Sequence, residues 1–184
     1  MGIDRVRYAD CDRAQADAIL AILNDAILRT TAIFESEPRP REAMGPWFDA
    51  KAAGAYPVIG AFDGDGALLG FGSYGPFRNW PAYRHTVEHS VYVRHDQRGR
   101  GVGRGLLRQV IARAEAQSYH ALIGGIEAGN TASLALHRAL GFAPCGTVRE
   151  VGHKFGRWLD LTFVQLLLPS GRAPDSVAPP AVPA

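Results

Sequence analysis

A glutamate stands in the middle of an apolar, β-like run, Glu88 in Thr86–Val93 (TVEHSVYV). Glutamate is depleted in strands, so its presence there asks for a chemical reason. Side chains alternate along a strand. Val87, His89, Val91 and Val93 therefore face one way, and Thr86, Glu88, Ser90 and Tyr92 face the other. Glu88 fits a general base, directly or through water. The plainer reading is an exposed strand face or an ion pair with an arginine. His89 is expected on the opposite face, beside the site rather than in its reaction. His137 is the second titratable candidate, because an ordinary imidazole pKa near 6.5 suits proton transfer at neutral pH. Its plainer reading is a packed or surface histidine.

Just after the Glu88 run comes Arg98-Gly99-Arg100-Gly101-Val102-Gly103-Arg104. The helical pattern Leu106–Gln117 follows. A strand, a Gly/Arg turn and a helix make an anion cradle: glycines allow close backbone approach, and the first N–H groups of a helix point outward unpaired. A P-loop needs Gly-Lys-Ser/Thr, whereas Gly103 is followed by Arg104 and Gly105. The G-x-G-x-x-G fingerprint fails too, since Gly99, Gly101, Gly103 and Gly105 fall on every second residue.

The elements that must position these residues read in order. Ile3–Tyr8 alternates as a strand, Ala14–Leu28 repeats as an amphipathic helix, and Thr30–Phe34 leaves it as a loop. Arg41–Ala53 is a second helix with Gly54 after it. Pro57–Phe62 and Ala67–Tyr74 are strands around Asp63-Gly64-Asp65-Gly66, a hairpin signal. Gly75–Tyr83 (GPFRNWPAY) is an aromatic loop. Ala121–Ile126 is a strand whose Gly124-Gly125 suggests close backbone approach. Asn130 caps a helix running to Leu140, with Gly141 beyond it. Leu159–Leu168 is a final strand. The order is β, α, α, β, β, β, α, β, α, β. It predicts an α/β fold, a mixed and mostly antiparallel central sheet flanked by helices, with one β-α-β crossover at the Gly/Arg turn. Residues 1–168 form one domain, and the Pro/Ala-rich residues 169–184 are expected to be a flexible tail.

A chain of 184 residues, 47% apolar and 21% charged, with net charge +2, is ordinary for a globular domain. It points to neither a nucleic-acid nor a membrane surface. Cys11 and Cys145 fit no metal spacing and are expected to be free thiols. No metal is expected. With no long apolar run and no apolar leader at the start, a cytoplasmic location is expected.

Two motifs carry a family resemblance. Arg98-x-x-Gly101-x-Gly103 resembles the coenzyme A pyrophosphate loop of the GNAT N-acetyltransferase superfamily. Asn130-x-x-Ser133-x-x-Leu136-His137-x-x-x-Gly141-Phe142 is similar to that superfamily's second coenzyme segment. Residues 83–93, 125–130 and 151–160 resemble the phosphinothricin, methionine sulfoximine and methionine sulfone N-acetyltransferases. The likeness spans Ile3–Leu168 and departs from the broad superfamily at His137, where tyrosine is usual and where the narrower family also places histidine.

The resemblance implies the GNAT fold and acetyl transfer from acetyl-CoA to a small amino-acid amine. It implies that backbone groups of Val91, Tyr92 and Val93 hold the thioester and pantetheine arm. Arg98, Gly99, Arg100, Gly101, Val102, Gly103 and Arg104 would hold the pyrophosphate, and Asn130 and Ser133 the far side of the coenzyme. Glu88 and His137 would be catalytic, with the thiolate or the amine as the partner of His137 left open. Arg78 would take the substrate carboxylate, with Asn79, Trp80, Glu88, His89 and Ser90 lining its pocket. Phe34, Lys154, Arg157 and Trp158 are secondary candidates, or residues of a homodimer contact. Another small amine, a protein N-terminus, or coenzyme binding without turnover are the rival readings.

Overall fold

The computed structural model describes residues 6–169. Seven strands form one sheet, β1 (Arg7–Asp10), β2 (Val58–Phe62), β3 (Leu68–Pro76), β4 (Thr86–Val93), β5 (Ala121–Glu127), β6 (Ala143–Lys154) and β7 (Arg157–Leu167). Their order across the sheet is β1-β2-β3-β4-β5-β7-β6. Every neighbouring pair is antiparallel except β4 and β5, which are parallel. A parallel neighbour needs a crossover, and α3 (Val102–Ala116) supplies it.

Two apolar layers follow from the strand alternation. On one face α1 (Ala16–Arg29) and α2 (Met44–Ala53) bury Ile19, Leu23, Ile27 and Phe48 against Val58 and Phe71. On the other face, α3 packs Leu106, Leu107 and Val110 with Ile59, Leu122 and Val164. Leu134 and Leu140, from α4 (Thr131–Ala139) and its end, lie against that second core. The mixed, mostly antiparallel sheet flanked by helices holds as expected.

Residues 3–5 of the expected first strand, and residues 170–184 of the expected tail, lie outside the described residues. Three expectations need correction. The first strand runs on to Asp10 because Asp10 pairs with Ile59 of β2. The helix expected from Leu106 begins at Val102. Gly103 and Gly105, poor helix formers, serve tertiary contact there: a Cβ on Gly105 would fall 1.7 Å from Tyr8 Oη, and one on Gly103 would lie 3.5 Å from Val93 Cγ2. Finally, β6 is a twelve-residue strand where none was predicted. It is the sheet edge, exposed along most of its length, so it shows no buried alternation. A two-residue turn with positive φ at Phe155 (51°) and Gly156 (73°) joins it to β7. That is the type I′ geometry matching strand twist. Among the described residues no helix is long and apolar enough to cross a membrane.

Candidate active site

Pairing between β4 and β5 ends at His89 and Gly124, although both strands continue. The two strands thus part in the middle of the sheet. A cavity of about 1190 Å³ opens there, reached by Glu88, Val91, Val93, Asn130 and His137. On its other side β4 stays paired with β3 through Val93. Arg94 N–H bonds Leu69 O, so it faces β3. Backbone direction alternates along a strand. The N–H and C=O of Val91 and Val93 therefore point into the gap, and those of Tyr92 point at β3. Tyr92 turns its ring to the α1/α2 side, 5.6 Å from the Phe71 ring.

At the lower end of the gap stands the start of α3. Gly99 and Gly101 take left-handed φ of 72° and 86°. Gly101 caps the helix without a side-chain bond. Gly105 N–H reaches back to Gly101 O (3.1 Å). No capping side chain thus shields the N–H groups of Val102, Gly103 and Arg104, where the helix dipole concentrates partial positive charge. Arg98, Gly99, Gly101, Gly103 and Arg104 line the cavity. The other two predicted members do not. Arg100 donates to Gln97 Oε1 (2.9 Å), and the Val102 side chain is buried in the core. On the far wall Asn130 caps α4 by accepting from Ser133 N–H (3.1 Å).

Glu88 opens onto the cavity from the α1/α2 side. Burial raises its carboxyl above the usual range, and Arg78, 3.8 Å away, opposes that. Gly125 makes the room: a Cβ there would lie 3.2 Å from Glu88 Oε1. Gly75 pairs directly with Glu88, so the two share a face. A Cβ on Gly75 would sit 3.6 Å from Lys51 Nζ. Lys51 therefore lies on the Glu88 side of the sheet, and it lines the same cavity. Its ammonium donates to Tyr74 O (2.7 Å) beneath the rings of Trp47 and Tyr56, and burial lowers its pKa to about 8.

His89 points the other way, as alternation predicts. It is 7% exposed and meets His137, 5% exposed, with the two Nε2 atoms 2.9 Å apart. Its Nδ1 lies 2.7 Å from Ile123 O. His137 Nδ1 lies 2.7 Å from Ser133 O and 3.4 Å from Ser133 Oγ. Phe142 closes the group, about 5 Å from both rings. Gly124 is the counterpart of Gly125: a Cβ there would strike His89 Cε1 at 2.8 Å. The Gly-Gly pair clears space on opposite faces of β5 for adjacent residues of β4.

The predicted substrate residues divide. Ser90 of β4 lines the main cavity. Arg78, Asn79 and Trp80 line a separate cavity of about 240 Å³ with Pro76, Tyr83 and Tyr119, and Arg78 stacks there on Phe77 at 4.2 Å while reaching to 3.8 Å from Glu88. Of the secondary candidates, Arg157 lines the main cavity, and Trp158 lies outside against His153. Lys154 is 4% exposed and ties the loop after α1, donating to Thr30 O (2.9 Å) and Ile33 O (2.6 Å). Phe34 of that loop rests on Gly152, where a Cβ would come 2.5 Å from its ring. Glu127 completes the anchor by accepting from Thr31 Oγ1 and Gly129 N–H, both at 2.9 Å. Sequence reasoning missed Lys51 and Glu127. Lys51 lies on α2, far from the motifs; Glu127 stands within residues 125–130, but its bond to Thr31 Oγ1 comes only from the fold. Among the described residues no cluster of three or more His, Cys, Asp or Glu could hold a metal ion.

This geometry has relatives. The model of the Acetyltransferase (GNAT) family matches residues 20–142. An L-methionine sulfoximine/L-methionine sulfone acetyltransferase from Pseudomonas paraeruginosa is 51% identical over 166 residues, 90% of this chain and 96% of that one. A phosphinothricin acetyltransferase from Sinorhizobium meliloti, solved with acetyl-CoA, superposes with a TM-score of 0.89 at 34% identity, covering 95% of this chain and 96% of its own. A ribosomal-protein-alanine N-acetyltransferase from Brucella melitensis superposes at 0.86 with 45% identity, covering 88% and 99%. With a family match across β4, α3, β5 and α4 and relatives spanning nearly its whole length, this chain belongs to the GNAT acetyltransferase family.

Proposed function

We propose that this chain transfers the acetyl group of acetyl-CoA to the α-amino group of a small amino acid of the phosphinothricin, methionine sulfoximine or methionine sulfone type. The observation that carries the reading is one cavity onto which Glu88, His137, the open edge of β4 and the start of α3, free of any capping side chain, all converge. Acetyl-CoA brings the activated acetyl thioester. The N–H groups of Val102–Arg104 and the side chains of Arg98 and Arg104 suit its pyrophosphate, and the N–H groups of Val91 and Val93 suit its arm and carbonyl.

An α-ammonium must lose two protons to become an amide. Glu88 takes the first and passes it to solvent. The second meets the departing thiolate through His137. Arg78, 3.8 Å from Glu88, and Lys51, on the same side of the sheet, provide cations for a carboxylate one carbon away from the amine. The loop clamped by Lys154 and Glu127 forms a fixed wall suited to a compact substrate.

A panel of amines with acetyl-CoA tests the reading. Turnover is expected on methionine sulfone, methionine sulfoximine and phosphinothricin. The Brucella relative favours a second reading, a protein N-terminus. Turnover on an alanine-terminated ribosomal peptide and none on the three amino acids would replace the first reading with it.

We further infer a cytoplasmic homodimer joined at the β6 edge. Val148, Val151 and Trp158 are exposed large apolar side chains on β6 and β7, and an uncovered edge strand invites pairing. Sedimentation velocity should show a dimer that Trp158→Glu weakens. A monomer in both samples would overturn that inference.

A further inference from the structure

His89 and His137 form a chain of contacts whose protons can be counted. It runs from Ile123 O to His89 Nδ1 (2.7 Å), across the two Nε2 atoms (2.9 Å), and from His137 Nδ1 to Ser133 O (2.7 Å). A backbone carbonyl only accepts, so each Nδ1 is asked to carry a hydrogen. The contact between the two Nε2 atoms needs one as well. Three protons are required on four nitrogens, and two neutral imidazoles bring two. In the neutral pair one contact must go without.

The partners decide which. Among the described residues His89 Nδ1 meets Ile123 O alone, so a hydrogen must stay there and Nε2 must accept. His137 Nε2 must then donate. That leaves His137 Nδ1 bare, and it has a second neighbour able to donate to it, Ser133 Oγ at 3.4 Å. Uptake of a proton at that atom restores the bond to Ser133 O.

We propose that His89 is a positioning residue that holds neutral His137 in the Nε2–H form, so that Nδ1 of His137 is the atom that takes up and releases the proton. The rate part of this proposal rests on His137 being the proton-transfer residue; the tautomer part does not. The groups facing the pair from the surrounding elements are few. Tyr74 lies opposite His89 on β3 with its hydroxyl donating to Gln117, just after α3 (2.6 Å). Gly124 on β5, Val164 on β7 and Phe142 after α4 carry no charge. Glu88 is on the other face of β4. Burial pushes both imidazoles below their ordinary range, and the bonds to Ile123 O and Ser133 O oppose it.

Long-range ¹H–¹⁵N correlation spectra of the full chain, taken above the titration range, read the tautomers directly. The expected result is opposite forms: His89 protonated at Nδ1 and His137 at Nε2. Neutral His137 protonated at Nδ1 would overturn the proposal without any variant. In His89→Phe the ring volume stays and the acceptor is lost. His137 should switch to the Nδ1–H form, and kcat should fall by about tenfold or more, as expected when a catalytic imidazole is held in the wrong tautomer. His89→Gln, whose amide oxygen can stand near the lost Nε2, should restore the Nε2–H form and most of the rate. A wild-type tautomer and pH profile in His89→Phe would also overturn the proposal. Full turnover in His137→Ala would remove the catalytic half, and the reading of His137 with it, while the spectra still decide the tautomer half.

Discussion

Glu88 and His89 are neighbours in the chain, and β4 sends them into opposite surroundings. Glu88 enters the cavity beside Arg78, 3.8 Å away, with part of its surface open. His89 enters the core and finds carbonyl oxygen, imidazole and a phenyl ring. Both departures from ordinary acidity begin with burial, yet they run in opposite senses, because burial disfavours whichever form is charged. The open face is built to meet a ligand. The closed face is built to fix one ring against another.

The largest expected effect comes from the groups in the cavity. Glu88→Gln and His137→Ala should each lower kcat by about 10²-fold or more, the usual scale of acid–base help. Coenzyme affinity, measured by calorimetry, should stay within a few-fold, because neither residue belongs to the start of α3. Full turnover in both variants would break the assignment of chemistry to this strand.

Gly124 and Gly125 sharpen the comparison within one dipeptide. Gly124→Ala drives a methyl group against His89 and, at 3.2 Å, Val164 in a packed core. Overpacking of that kind costs about 1–3 kcal/mol, which urea unfolding would read. Gly125→Ala meets the end of the Glu88 side chain at 3.2 Å, and that end can swing aside. Its stability should change by less than about 1 kcal/mol, since alanine also restricts the unfolded chain. Its kcat should fall, because the displaced group is the carboxylate. Equal stability losses in the two variants would mean that the faces do not differ as described.

Much of this was legible in the sequence, for reasons that particular residues show. The Glu88/His89 alternation is a period-2 fact and survives folding. Gly101 at the cap and Asn130 at the start of α4 announce themselves through local backbone chemistry. Gly124-Gly125 signalled close approach without saying what approached. What stayed hidden depends on contacts distant in sequence. The glycines inside the first turns of α3 are explained by Val93 against Gly103 and Tyr8 against Gly105. The strand β6 has one neighbour and no buried face, so it has no pattern to read. Lys51 and Glu127 reach the cavity only because α2 and the end of β5 are folded against it. The pairing of His89 with His137 joins residues from β4 and α4, and no spacing encodes it.

A smaller effect concerns the acid limb of the rate profile. Burial raises the Glu88 carboxyl and the Arg78 charge lowers it. Arg78→Ala should therefore let Glu88 rise further, and the acid limb of kcat/KM should move to higher pH. A limb that stays in place, or moves down, would show that Glu88 does not set it.

The smallest expected effect is on stability against pH, and here the two faces should oppose each other. The folded pKa of His89 lies below its unfolded value near 6.5. Above about pH 6.5 the residue is neutral in both states and its contribution is constant. As pH falls, the unfolded chain binds a proton that the folded chain refuses, and stability drops toward the folded pKa, by about 1 kcal/mol over the first unit. Glu88 runs the other way. Its folded pKa is raised, so its contribution is full below the ordinary carboxylate range and is lost as pH rises through the folded value. Urea unfolding from pH 4 to pH 8 would separate them. His89→Phe should flatten the loss of stability on acidification, and Glu88→Gln should flatten the loss on the alkaline side of Glu88's titration. Identical pH dependence in the two variants would mean that the strand's faces are not electrostatically distinct.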